Sequence, residues 1–170
     1  MRDPISFQRA SALHPAIRQE VIKTIDKAES NLPTSARVRI VQGMRTIEEQ
    51  QILFNKGRTT PGTIVTNARP GQSFHNYGLA IDFAMLYDKN GDGVFNDLSW
   101  DINYDFDKDG VKDWMEVVLC FKAAAFVWGG DFKSITDNPH LEKTFGYTWR
   151  ELLDRHRNNR FINGSKYVLL

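Results

Sequence analysis

Apolar positions recur at helical spacing over residues 12–29. Ile17, Val21, Ile25 and Ala28 form one stripe, Ile22 lies beside it, and charges fill the other side. Asn31-Leu32-Pro33 ends this helix. Val38-Arg39-Ile40-Val41 alternates and predicts a strand. Thr46-Ile47-Glu48-Glu49 is a capping box, so a second helix starts near Ile47, with Gly57 placed to stop it. Arg58 to Gln72 holds two Pro, two Gly and four Thr and predicts a long loop, of the kind that walls a cleft. Leu79 to Asp82, continued by Phe83-Ala84-Met85-Leu86, predicts a strand entering the core. Trp114, Val117, Val118, Phe121, Ala124, Ala125 and Trp128 fall at helical spacing as a core stripe, broken by Gly129-Gly130. His140-Leu141-Glu142 predicts a short strand. Thr148-Trp149-Arg150-Glu151 is a second capping box, opening a helix to about His156, and Lys166 to Leu170 predicts a terminal strand.

At 170 residues the chain is expected to form one domain, 1–170, with a sizeable core. Its formal net charge of +1 gives no reason to expect nucleic-acid binding. One cysteine, Cys120, excludes an intramolecular disulfide, and its apolar helical surroundings predict a buried structural thiol. No stretch reaches the about 18 apolar residues of a membrane span. Met1-Arg2-Asp3-Pro4-Ile5-Ser6 is not followed by the apolar run of a leader, which fits either phage-type release from a cell or a chain whose leader has been removed. His14, before Pro15, reads as a surface or capping residue. His156, in the last turn of its helix, suits the helix dipole, and neither is expected to do chemistry.

The chemistry concentrates in Ser73-Phe74-His75-Asn76-Tyr77-Gly78-Leu79-Ala80-Ile81-Asp82. It sets an imidazole on a loop and a carboxylate on the next strand, seven positions apart, with Tyr-Gly to turn between them. Asp82 stands inside an apolar run, where a carboxylate is costly unless paired or bound to metal. Asp137-Asn138-Pro139-His140 supplies a second imidazole, with the backbone fixed by Pro139. Two histidines and one carboxylate, with one position left for water, have the composition of a catalytic zinc site: His75, Asp82 and His140 as ligands and Asp137 as the base. Glu142 is the weaker candidate for that base.

Ser-x-His-x-x-Gly-x-Ala-x-Asp followed by Asp-x-Pro-His resembles the M15 zinc peptidases. This is the D,D-carboxypeptidase and L-alanyl-D-glutamate endopeptidase group that cuts peptidoglycan stem peptides. The resemblance extends to Gln42-Gly43-Met44-Arg45-Thr46, Gln72-Ser73-Phe74-His75, Asp113 to Val118 and Trp128 to Lys133, and so covers roughly residues 35 to 145. It implies that Arg45 holds a substrate carboxylate or carbonyl oxygen, where the plain alternative is a surface ion pair. It implies that the Ser73 hydroxyl touches substrate, where the alternative is a turn-stabilising bond. The bond it points to is L-Ala–D-Glu, with D-Ala–D-Ala carboxypeptidase action as the alternative on the same scaffold.

From Asp88 to Asp113 the composition turns acidic and rich in Asn and Gly, which marks an insertion. Asp105, Asp107, Asp109, Asp113 and Glu116, with Gly110 at the sixth position, satisfy the twelve-residue calcium-loop pattern. Asp88, Asn90, Asp92 and Asn96 begin the same pattern, but Ser99 stands where the bidentate acid belongs. The alternative for both is a solvated acidic insertion.

Together these readings predict an α+β fold: a small antiparallel sheet with packed helices and zinc at the sheet edge. They predict a monomeric hydrolase acting on the bacterial wall. The non-enzyme alternative is a binding module stabilised by zinc or calcium. Three ligands plus a base argue against it, because structural zinc is usually closed by four protein ligands.

Overall fold

β2 (Ala80–Tyr87) is the strand on which the architecture depends in the computed structural model, which describes residues 1–170. It pairs antiparallel with β1 (Ala36–Gln42) along its length, with β3 (Asp97–Ser99) at its far end and with β5 (His140–Glu142) at its start. β4 (Val127–Trp128) pairs with β5, giving the order β1-β2-β5-β4 with β3 also on β2. β2 is buried at every position except Asp82, which is half-buried, and this explains why its sequence is apolar apart from that residue. Between Ile40 and Gln42 the β1–β2 register shifts, so that Gln42 faces Asp82. A bulge at that point changes the direction of the strand beside the carboxylate.

The helices are α1 (Pro4–Ser11), α2 (Pro15–Asn31), α3 (Ile47–Asn55), α4 (Asp113–Ala123) and α5 (Trp149–Arg157). The expected stripe of α2 is buried: Ile17, Val21, Ile25 and Ala28 pack with Val38 and Ile40 of β1, Phe83 and Met85 of β2, and Trp114, Val117 and Phe121 of α4. Both capping boxes form, at Thr46/Glu49 and at Thr148/Glu151. α1 has no sequence counterpart above. Asp3 starts it, accepting from the Ser6 amide, and Pro4 occupies its first turn. Asp3 is tied to β1 by two bonds from Arg39, of 2.8 and 2.9 Å.

Two expectations fail, and a third holds in one of its two forms. α4 stops at Ala123, since Ala125 takes a left-handed φ of 58°; Trp128, expected on the helix stripe, lies on β4. Lys166 to Leu170 forms no strand but a single bridge, Phe161 to Val168, its backbone bonds going to the nearby residues Arg160 and Ile162. Of the two readings of His14, capping holds and surface exposure does not, since it is buried. It caps α2 through Nδ1, its Nε2 lies 2.9 Å from the Val168 carbonyl, and the Tyr167 hydroxyl donates to the Ala12 carbonyl.

Candidate metal centre

His75 lies on a short 3-10 turn, Phe74–Tyr77, rather than in irregular loop. Ser73 starts this turn: its hydroxyl accepts from the His75 amide at 3.3 Å. Gly78 ends it at φ 67°, where a Cβ would meet the His14 nitrogen at 2.8 Å, so glycine is required. Asn76 anchors the turn. Its Oδ1 accepts from the Gly71 amide, and its Nδ2 donates to the carbonyls of Arg45 and Thr46. The His75 Nδ1 lies 2.8 Å from the Gly43 carbonyl. A carbonyl only accepts, so Nδ1 carries the proton and Nε2 presents its lone pair inward.

His140 enters from the turn Asp137-Asn138-Pro139-His140, closed by the His140 amide on the Asp137 carbonyl at 3.1 Å. The Trp128 indole donates to the Asn138 carbonyl at 2.7 Å, and the Asp137 amide donates to the Gly129 carbonyl. Gly129 must be glycine, since a Cβ would meet the Asp137 carbonyl oxygen at 2.3 Å. On β5, His140 and Glu142 share a face, and the Glu142 carboxylate lies 3.0 Å from His140 Nε2. That fixes the proton on Nε2 and turns Nδ1 inward.

Three donor atoms then converge. His75 Nε2 and His140 Nδ1 each lie 3.1 Å from Asp82 Oδ1 and 3.2 Å from one another. Corners of a tetrahedron with bonds of ~2.0 Å stand about 3.3 Å apart, so this triangle fits three ligands of a zinc-sized ion. The outward nitrogen of each ring is already bonded to the protein, the arrangement that orients metal ligands elsewhere. The group attracts positive charge. Burial opposes a charge on His140, but Asp82 and Glu142 outweigh it and push it up to about 9. Burial likewise opposes ionisation of Asp82, and the two histidines overcome it, holding the carboxylate well below its usual range.

The centre opens on a cavity of about 470 Å³. Arg45, Ser73, His75, Asp82, Asp137 and His140, six residues expected from sequence, all line it. Burial pushes the Asp137 carboxyl up, Asp82 adds to the shift, and His140, His75 and Arg45 oppose it. Arg45 is held by its amide on the His75 carbonyl and by one guanidinium nitrogen on Gln50 Oε1, at 2.8 Å. Its Nη2 makes no hydrogen bond within the protein, so that side of the guanidinium is free for a ligand, while its Nε is buried without a partner. Gln50 donates in turn to the Ala68 carbonyl, and Thr66, Ala68 and Gln72 of the long loop form one wall, as expected for residues 58–72.

Four contributors escaped the sequence reading. Glu142 orients His140 instead of competing with Asp137, and the signal for that was its i, i+2 position on a strand. Gln50, fully buried on α3, and Asn76 carried no sequence signal beyond being polar. Gly129 was read only as a helix breaker.

The acidic insertion lies apart from this cavity. Asp105, Asp107 and Asp109 bring carboxylate oxygens within 4.8 Å of one another. Asp113 does not join them: one oxygen accepts from the Tyr87 hydroxyl at 2.6 Å and the other from the Phe106 amide. As a direct calcium ligand Asp113 is therefore a misplaced expectation, because the Tyr87 hydroxyl draws it toward the sheet. The first loop is closed on itself, with Asp88 accepting from the amides of Gly91, Asp92 and Gly93.

A family model described as D-alanyl-D-alanine carboxypeptidase, among the M15 peptidases, matches residues 66–143. The chain is 46% identical over 132 residues to the peptidoglycan L-alanyl-D-glutamate endopeptidase CwlK of Bacillus subtilis, covering 78% of this chain and 74% of that one. It is 33% identical over 126 residues to the L-alanyl-D-glutamate peptidase of Listeria phage A118, covering 74% of this chain but 36% of the phage protein. The crystal structure of the Serratia marcescens L-Ala D-Glu endopeptidase ChiX shares the fold, with a TM-score of 0.53 at 19% identity, over 84% of this chain and 88% of that one. With its His-Asp-His centre and the extent of its match to the Bacillus enzyme, the chain belongs to the M15 family of peptidases.

Proposed function

We propose that this protein is a zinc peptidase that hydrolyses the L-Ala–D-Glu bond of the peptidoglycan stem peptide. The observation that carries the proposal is the three-donor centre, open on one side to a cavity shared with Asp137 and Arg45. The named activity of the Bacillus relative supports the choice of bond. Zinc is the cofactor proposed for this centre, and calcium the one proposed for the acidic loop. The unit is a single domain, 1–170, with its insertion at 88–113. In support, one core cluster runs from Ala10 to Val168. All three donors come from one chain, which supports action as a monomer. The proposed place of action is the bacterial wall, and no helix is long and apolar enough to cross a membrane.

His75, Asp82 and His140 would hold the zinc, which supplies Lewis acidity to activate water and polarise the scissile carbonyl. Asp137 takes a proton from the attacking water on its carboxylate and returns it to the leaving amine as the C–N bond breaks. Its raised affinity for protons suits both halves of that transfer. Arg45 offers its free guanidinium edge to a substrate carboxylate or to the carbonyl oxygen as charge develops there. Ser73 Oγ, already accepting from the His75 amide, faces the cavity and can contact the peptide.

The second reading, D-Ala–D-Ala carboxypeptidase action, is favoured by the description of the matching family model. Digestion of purified peptidoglycan followed by mass spectrometry separates the two. A new free amine on D-Glu supports the endopeptidase, whereas released D-Ala in its place overturns it in favour of the carboxypeptidase.

A further inference from the structure

We infer that the Asp105–Glu116 loop is a calcium site. Its ligands are Asp105, Asp107, Asp109, the Val111 carbonyl and Glu116, while Asp113 braces the loop to the sheet. The inference concerns a part of the molecule outside the zinc centre and does not depend on which bond is cut.

Two oxygens carry it. Glu116, in the first turn of α4, is only 9% exposed, and its Oε2 is buried with no hydrogen-bond partner. Asp105 Oδ1 is in the same condition. Each buried carboxylate oxygen without a donor costs free energy, and two in one loop need a common cause. They stand at the first and twelfth positions of the pattern, the two that close a calcium loop around its ion. Between them, Asp107 and Asp109 place carboxylate oxygens within 4.8 Å of Asp105 and of each other. Val111 holds the seventh position, where such loops ligate through the carbonyl.

One cation of the protein approaches this cluster, and it does not reach the unpartnered oxygens. The Lys112 ammonium reaches Asp105 at 3.9 Å, on Oδ2, the oxygen that also accepts from the Gly110 amide at 3.2 Å. The unpartnered Oδ1 is untouched by it. Burial pushes the Glu116 carboxyl up to about 7, with Asp109, Asp113, Asp107 and Asp105 adding repulsion. The donors are all oxygen and include a glutamate able to bind through both oxygens. That set suits calcium, whereas magnesium demands a tighter octahedron and zinc prefers nitrogen or sulfur.

The brace gives the ion something to stabilise. Asp113 receives the Tyr87 hydroxyl, and Phe106, inside the loop, stacks on the Tyr87 ring at 5.2 Å. Tyr87 ends the strand that carries Asp82. Loop, α4 start and β2 are therefore one packed unit, and closing the loop on an ion fixes two sides of it.

The test uses zinc-loaded protein freed of calcium by passage over a chelating resin, titrated with calcium chloride in a calorimeter. Wild type should bind one calcium, and its Tm should rise in step with saturation. Glu116→Gln and the exposed-site variant Asp107→Asn should each weaken calcium binding at least tenfold, with zinc content and circular dichroism unchanged. Asp113→Asn should still bind one calcium. The inference is overturned by absence of binding at millimolar calcium, or by equal binding of magnesium. It is equally overturned by wild-type affinity in Asp107→Asn, or by loss of the ion in a folded Asp113→Asn.

Discussion

His75, Asp82 and His140 come from a capped turn and two paired strands, and each ring has its outer nitrogen bonded to Gly43 or Glu142. Asp105, Asp107 and Asp109 come from one loop, and what they accept comes mostly from that loop: the amides of Gly110, Asp109 and Val111. The first cluster is held in shape from outside by the fold. The second can close only around its own centre. Rigid elements with bonded outer atoms lose little freedom on binding an ion, so the fold has already met the cost of organising them. A loop meets that cost at the moment of binding, and its affinity is lower for it. The contrast fits the separate uses proposed, chemistry at one cluster and stability at the other.

The sharpest break in this contrast is His75→Ala. With three donors the minimum set, removing one should abolish both bound zinc and activity while the fold persists, because β2 and β5 remain paired. One zinc per chain in that variant, by metal analysis, would mean that the triangle is not the centre. Next in size is Asp137→Asn. It should keep its zinc and lose about two to four orders of magnitude in kcat, the scale of a positioned proton acceptor. Loss of zinc there would make Asp137 a ligand, and near-normal turnover would remove it from the chemistry. The smallest of the three tests the outer support directly. Glu142→Ala should weaken zinc roughly 10- to 100-fold in a competition titration, by freeing the His140 ring. Unchanged affinity would show that the strand alone aims His140.

The three converging donors were legible because their chemistry is expensive elsewhere. A carboxylate in the apolar run of β2 and two histidines beside turn-forming residues have few cheap structural explanations. The same logic found the acidic loop but misjudged Asp113, since ligand spacing carries no information about a tyrosine on another strand. α1 was missed because it buries only Ser6 and Ala10, too few positions to show an apolar stripe, although Asp3 and Pro4 mark its start locally. The end of α4 was missed because the apolar period runs on through Ala124 and Ala125 while the backbone has already turned. Glu142 and Gln50 illustrate the general limit: a residue that acts by holding another is visible only once the other's position is known.

The tail of the chain has a mechanical consequence. Val168 is fastened to His14, and the His14 amide is fastened to the Gly78 carbonyl, three residues from His75. These contacts are connected in series. A pull on residue 170 meets the bonds of Leu169 to Arg160 and Arg155 first, and beyond them it reaches the turn that carries His75 through two hydrogen bonds. A pull on residue 2 is taken up first by Glu29 and by the β1 carbonyl of Ala36, on the other flank of the molecule. The two ends are thus unequal as handles: one leads into the framework, the other to the active site.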